Sequence, residues 1–84
     1  MAWVITKDLI SDPKEKSRIG TCSRGYKNEC AEWKMFRMLD DDGNVYYEGM
    51  ATSESFDPLD DFGMPNDGCT EIQYKNANGE WETL

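Results

Sequence analysis

The chain has 84 residues, a formal net charge of −8 at neutral pH and no histidine. A chain of this length forms a single domain, residues 1–84, whose core supports a compact fold but rarely an adequate substrate cleft. Without histidine the commonest general base and metal ligand are missing, which excludes Ser–His and Cys–His catalysis. We therefore expect a protein that is not an enzyme and that uses no cofactor or metal.

The charged residues are divided unevenly along the chain. Residues 1–37 contain eight bases and five acids, whereas residues 38–84 contain twelve acids and a single base, Lys75. Such an asymmetry bears on association and solubility rather than on fold. It makes direct binding to nucleic acid unfavourable for the second half of the chain and makes a basic protein surface a favourable partner.

The N-terminal segment MAWVITKDLI predicts an opening β-strand, because AWVITKD alternates in polarity and contains β-branched residues. The segment is too short, and charged too early, for a signal peptide or a membrane span, so we expect a cytoplasmic protein without membrane contacts. Cys22, Cys30 and Cys69 are odd in number and contain no C-x-x-C pair. We expect reduced thiols and no structural zinc.

The segment SDPKEKSRIG, residues 11–20, predicts one short helical turn. Asp12 can cap it, Pro13 can occupy its first position and Gly20 can end it. Ile19 is the only apolar residue of the run besides the glycine, so the turn is expected to be solvated.

Two β-hairpins are predicted in the remaining chain. The segments EWKMFRMLDDDGNVYYEGMAT and TEIQYKNANGEWETL place Asp42-Gly43 and Asn78-Gly79 between aromatic-rich arms. Both dipeptides favour a two-residue type I′ turn. The predicted fold is mostly β to α+β: a single small domain with an antiparallel sheet of four to five strands and one or two short helical turns.

Two-residue turns would also fix which residues face each other across the strands. Opposite charges then meet in both hairpins, which favours the pairing by roughly 0.2–1 kcal/mol per pair. Loops of three to five residues are also common and would shift the register by one residue. The expected pairs are Arg37–Glu48, Met38–Tyr47 and Leu39–Tyr46 in the first hairpin, and Lys75–Glu82 and Tyr74–Thr83 in the second.

The first hairpin is apolar on both faces, which is unusual for a sheet with one solvated face. Either the N-terminal segment and the acidic loop cover the second face, or an aromatic and methionine-rich patch remains for a partner such as a second copy. One face carries Trp33, Met35, Leu39, Tyr46 and Met50, and the other carries Phe36, Met38, Val45 and Tyr47.

The segment FDPLDDFGMPNDGC, residues 56–69, combines apolar residues typical of a core (Phe56, Leu59, Phe62, Met64) with aspartates typical of a surface. A short helical turn is predicted, with Asp57 as its cap, Pro58 as its first residue and Gly63 as its left-handed end. Leu59 and Phe62 would then point inward, and Asp60 and Asp61 outward. Met64 precedes Pro65 and is expected to be extended.

The segment DDDGNVYYE resembles part of an EF-hand calcium loop, with Asp40, Asp42 and Gly43 at its third, fifth and sixth positions. The first and twelfth positions would be Met38 and Gly49, where that loop needs carboxylates. A hairpin turn is the better interpretation, and weak calcium binding at the aspartates is kept as an alternative.

Small size, acidic balance, predicted hairpins and the lack of catalytic residues resemble the small proteins that phages and mobile elements direct against host defences. Anti-CRISPR proteins and nucleic-acid mimics are examples. The resemblance implies a non-enzymatic inhibitor in the cytosol of the host cell that occupies a basic, nucleic-acid-binding surface of a partner protein. The segment PLDDFGMPNDGCTEI is also similar to the tail of small uncharacterised bacterial proteins, which implies no function.

Carboxylates would stand in for phosphates in such a protein, and nearby aromatic residues would supply the buried anchor. The alternative is a small structural or accessory domain without mimicry, homodimeric through the aromatic and methionine-rich hairpin face, in which the acidic loop only aids solubility. The candidate partner-binding residues are Asp40, Asp41, Asp42, Asp57, Asp60, Asp61, Asp67, Tyr46 and Phe62.

Overall fold

The computed structural model of the chain describes residues 2–10, 18–23 and 33–84. Within these residues five strands form one antiparallel sheet in the order β1-β3-β2-β4-β5. This confirms the predicted mostly β to α+β domain. The strands are β1 Trp3–Asp8, β2 Lys34–Leu39, β3 Val45–Ala51, β4 Glu71–Lys75 and β5 Trp81–Thr83.

One short helix connects β3 to β4 across one face of the sheet. It consists of a π-helical turn, Leu59–Gly63, followed directly by an α-helical turn, Met64–Asp67, and we call the two together the crossover helix. Within the described residues no helix is both long and apolar enough to cross a membrane.

The core lies between the crossover helix and one face of the sheet. Strand side chains alternate between the two faces, so every second residue of β1, β2, β3 and β4 points toward the helix. Leu59 and Phe62 close the core from the helix side, as predicted. The buried cluster comprises Trp3, Ile5, Phe36, Met38, Tyr47, Ala51, Leu59, Phe62, Cys69, Ile72 and Tyr74.

The crossover helix is longer than predicted, and two backbone predictions were wrong. Gly63 has helical angles (φ −65°, ψ −47°) instead of a left-handed conformation. Met64 is also helical instead of extended, although Pro65 follows it. A Cβ on Gly63 would lie 2.6 Å from the sulfur of Met38, so any side chain at this position would force Met38 to shift. The helix ends at Gly68, whose φ is +69° and whose N–H donates to the Met64 carbonyl at 3.0 Å.

Both hairpins form where predicted, but neither turn is of type I′. That type requires positive φ at two successive residues, and among the described residues only glycines, including Gly43 and Gly79, have positive φ. In the first hairpin the Gly43 N–H donates to the Asp40 carbonyl at 3.2 Å, and the Asp40 N–H donates to the Asn44 carbonyl at 3.1 Å. These bonds define a three-residue loop that ends on a left-handed glycine.

The second hairpin has the same loop. The Gly79 N–H donates to the Asn76 carbonyl at 3.0 Å, and the Asn76 N–H donates to the Glu80 carbonyl at 2.8 Å. The Asn76 side-chain oxygen also accepts hydrogen bonds from the N–H groups of Asn78 and Glu80. An Asx residue three positions before glycine therefore sets the loop length in both hairpins.

The longer loops change part of the predicted register. In the second hairpin Lys75 faces Trp81 and Tyr74 faces Glu82, one residue away from the predicted pairs. In the first hairpin Leu39 faces Val45 instead of Tyr46, and a bulge then restores the register. The predicted pairs Arg37–Glu48 and Met38–Tyr47 are confirmed.

The predicted N-terminal strand is confirmed as β1, which extends the sheet beside β3 and does not cover a face. Its outer edge is paired with residues 20–23: the Ile5 N–H donates to the Thr21 carbonyl at 2.8 Å, and the Ser23 N–H donates to the Trp3 carbonyl at 2.9 Å. Cys22 and Cys69 are free thiols. Cys30 and most of the turn predicted at 11–20 lie outside the described residues.

Replacing Phe62 with alanine should lower the free energy of unfolding by about 3–5 kcal/mol, because a buried ring is removed from the core. Met64→Ala is the matched control on the same helix: its side chain is 49% exposed, and the expected change is within about 0.5 kcal/mol. Urea denaturation measures both values. Equal effects of the two substitutions would contradict this orientation of the helix.

Candidate protein-binding site

Three of the predicted aspartates are exposed at the start of the crossover helix: Asp57 lies two residues before it, and Asp60 and Asp61 lie in its first turn. Positions three or four residues apart lie on the same side of a helix. These carboxylates therefore lie opposite the buried Leu59 and Phe62, which hold the helix against the sheet.

Two large apolar side chains lie among these carboxylates. Phe56 is 48% exposed and Met64 is 49% exposed. Both residues were expected in the core, and that prediction was wrong. Met64 follows Asp60 by four residues and Asp61 by three, so it lies on their side of a continuous helix. We call Phe56, Asp57, Asp60, Asp61 and Met64 the acidic helix face.

The Asp40 carboxylate accepts hydrogen bonds within the turn of the first hairpin. One carboxylate oxygen accepts hydrogen bonds from the N–H groups of Asp42 and Asn44, and the other accepts one from the Asn44 side chain at 3.0 Å. The bonds from Asn44 hold the pKa of Asp40 below its usual value. Asp40 therefore stabilises the turn, while Asp41 and Asp42 are exposed at its tip.

Asp67 has a similar structural role at the end of the crossover helix. Its carboxylate accepts a hydrogen bond of 2.6 Å from the hydroxyl of Tyr47, a residue whose ring is buried in the core. Burial, and then this hydrogen bond, raise the pKa of Tyr47 far above its usual value. Asp67 thus ties the helix to β3.

The two aromatic residues predicted to contact a partner differ in exposure. Phe62 is only 3% exposed, and its ring meets the Tyr47 ring edge-on at a centroid distance of 4.9 Å. It is therefore a core residue with no surface to offer a partner. Tyr46 is half-buried and packs against the core cluster, and its hydrogen bond with Asp40 raises its pKa.

The nine candidate residues therefore divide into scaffold and surface. Asp40, Asp67, Tyr46 and Phe62 contact the rest of the fold. Asp41 and Asp42 form an exposed tip near the end of the crossover helix, since the Thr70 N–H, shortly after the helix, donates to the Leu39 carbonyl at 2.9 Å. Met64 was not predicted as a surface residue because the predicted helix ended at Gly63, and Phe56 was not predicted as one because its aromatic ring is typical of a core.

The residues that the structure describes contain no group of three or more Cys, Asp or Glu side chains arranged to hold a metal ion. They also enclose no pocket.

Comparison with protein-family models, with curated proteins and with solved structures found no match for this chain. Its function is consequently inferred from its surface.

Replacing Tyr47 with phenylalanine should lower the free energy of unfolding at pH 7 by about 1–2 kcal/mol, because the Asp67 carboxylate loses its donor. The raised pKa of Tyr47 means that above about pH 10, the usual pKa of tyrosine, the unfolded chain ionises first. The stabilisation is therefore complete below that pH and is lost as the pH rises further.

Urea denaturation of both proteins between about pH 7 and pH 11 tests this dependence across the tyrosine range. The difference between wild type and Tyr47→Phe should shrink above pH 10, while the other tyrosines affect both proteins alike. A difference that stays constant over the whole range would contradict the role given to the Tyr47–Asp67 hydrogen bond.

Proposed function

We propose that this chain is a non-enzymatic binding protein whose acidic helix face docks on a basic surface of another protein. That partner surface ordinarily binds nucleic acid, and the chain acts as an inhibitor by occupying it. The observation that carries the proposal is the grouping of three exposed carboxylates with two exposed apolar side chains on one side of a short helix.

The spacing of the carboxylates supports mimicry of a phosphate backbone. Asp57, Asp60 and Asp61 would span about 6 Å along a helix axis, which corresponds to a mean separation of about 3 Å between neighbouring charges. One strand of duplex DNA carries one charge per about 3.4 Å of the axis. Among the described residues the one ion pair is Lys7–Glu48, on another part of the sheet, so none of the described bases forms an ion pair with these three carboxylates.

The exposed apolar side chains supply the desolvated contact that slows dissociation, which charge alone does not provide. Exposed charges mainly raise the association rate and select the partner, whereas desolvated apolar anchors slow dissociation. Phe56 and Met64 are exposed beside the carboxylates and are available as such anchors. They take the place of Phe62, which is buried.

The way the helix is held also favours binding. Leu59 and Phe62 fix it to the sheet, and Asp67 adds a hydrogen bond to Tyr47 at its end. A surface that is already ordered loses less conformational entropy when it binds. Asp41 and Asp42 at the hairpin tip extend the negative surface. A phage-type inhibitor of a host defence complex, acting in the host cytosol, is the class of protein that this surface fits.

Replacing Asp60 and Asp61 together with asparagine should leave stability unchanged within about 0.5 kcal/mol. The same variant should slow association with the partner, because steering by charge is reduced. The partner is captured from a lysate of the host cell at low salt, identified and purified. Its association rate with the chain is then measured at increasing salt. Met64→Ala should instead speed dissociation and leave the association rate nearly unchanged.

Glu80→Gln combined with Glu82→Gln is the matched control, because it removes the same amount of charge from the exposed end of the β4–β5 hairpin. This control should associate as the wild type does. If the Asp60 and Asp61 variant folds normally and associates at an undiminished rate, the acidic helix face is only a solvated surface and the proposal fails.

A further inference from the structure

The face of the sheet opposite the crossover helix, which we call the outer sheet face, differs in character from the acidic helix face. Residues paired across neighbouring strands share a face, and on this side they include most of the cations of the sheet. Met35, in this set, is 40% exposed. The set comprises Val4, Lys7, Met35, Arg37, Leu39, Glu48, Met50, Glu71, Gln73, Lys75, Trp81 and Thr83.

Arg37 lies in the middle strand of this face and is held in a fixed position. Its Nε donates to the side-chain oxygen of Gln73 at 2.7 Å, and its guanidinium lies 4.5 Å from the centroid of the Trp81 ring. Gln73 is itself fixed, because its amide nitrogen donates to Glu71 at 2.7 Å and to Thr83 at 3.2 Å. The guanidinium is therefore oriented before any ligand arrives.

No carboxylate among the described residues forms an ion pair with Arg37. Glu48 is its direct cross-strand neighbour, yet Glu48 pairs with Lys7 on β1 at 3.5 Å. The terminal nitrogens of Arg37 thus have no carboxylate partner in the ranges 2–10, 18–23 and 33–84, although the chain carries a large excess of acids. A planar guanidinium presents donors in a fork that matches a carboxylate with two parallel hydrogen bonds.

We infer that the outer sheet face binds a carboxylate side chain of an extended acidic peptide in another protein. Arg37 supplies the fork, and Lys75, whose ammonium lies 5.8 Å from the centroid of the same Trp81 ring, supplies a second cation. Trp81 and Met35 supply apolar surface for the residues on either side of the carboxylate. This site lies on the opposite side of the sheet from the acidic helix face and does not depend on the function proposed for that face.

A peptide carboxylate fits this face better than a nucleic acid does. Nucleic acid binding uses several phosphate contacts along a continuous basic track. Here Glu48 and Glu71 lie on the same face as Arg37 and interrupt such a track. A single carboxylate requires only the one fork.

The test uses two blocked tripeptides, acetyl-Leu-Glu-Leu-amide and its glutamine counterpart, titrated into the ¹⁵N-labelled full chain and followed by amide chemical shifts. The glutamate peptide should shift signals of residues 35–37, 73–75 and 81–83. Its affinity should exceed that of the glutamine peptide about tenfold, since charge-assisted paired hydrogen bonds are lost with the amide.

Arg37→Gln should abolish the preference for glutamate, and Lys75→Gln, a change at an exposed side chain, should reduce it. The Asp60 and Asp61 double variant should bind both peptides as the wild type does, which separates this site from the acidic helix face. Equal binding of the two peptides would overturn the inference. Stronger binding of an oligothymidylate to the same residues, or shifts of these signals caused by self-association without peptide, would also overturn it.

Discussion

The packing of Phe62 into the sheet is the contact on which the rest of this structure depends. Its ring lies edge-on to Tyr47 and 5.9 Å, between centroids, from Trp3, so one side chain joins the crossover helix to β3 and β1. Leu59 enters the same cluster from the preceding turn. Because the helix is short, its orientation comes from this packing rather than from intrinsic helical stability. Once Phe62 and Leu59 point inward, Asp60 and Asp61 must point outward.

The acids of the second half of the chain consequently have two kinds of role. Asp40 and Asp67 accept hydrogen bonds that fix a hairpin turn and the end of the helix, and their negative charge is used within the fold. Within the part of the chain that the structure describes, the aspartates of the acidic helix face accept no comparable hydrogen bonds, and all three are exposed. The outer sheet face is different again, because two of its cations, Arg37 and Lys75, lie beside the Trp81 ring. One thin sheet therefore separates an acidic surface from a partly basic one.

The strands, both hairpins and the inward direction of Leu59 and Phe62 were predictable, because alternation, Asx-Gly pairs and three-residue spacing are local signals. The hairpin registers were less predictable, since an Asx residue three positions before Gly43 or Gly79 favoured a longer loop than the Asx-Gly pair suggested. Arg37 shows a further limit: its cross-strand neighbour was predicted correctly, but Gln73 became its partner because β4 lies on the other side of β2. Strand order is a tertiary property and was not visible in the local pattern. The helical conformation of Gly63 was also not visible in the local pattern, because its close contact with Met38 joins the helix to β2.

Phe62 lies in the core and thereby turns the carboxylates of the crossover helix toward solvent. The most direct measurement is a nuclear Overhauser experiment on protein with labelled aromatic side chains. At a centroid separation of 4.9 Å the ring protons of Phe62 should give strong cross-peaks to those of Tyr47, with weaker ones to Trp3. Ring protons of Phe56 should give none to either residue, since that side chain is exposed. Cross-peaks from Phe56 to Tyr47, with none from Phe62, would place the opposite side of the helix against the sheet and contradict the account.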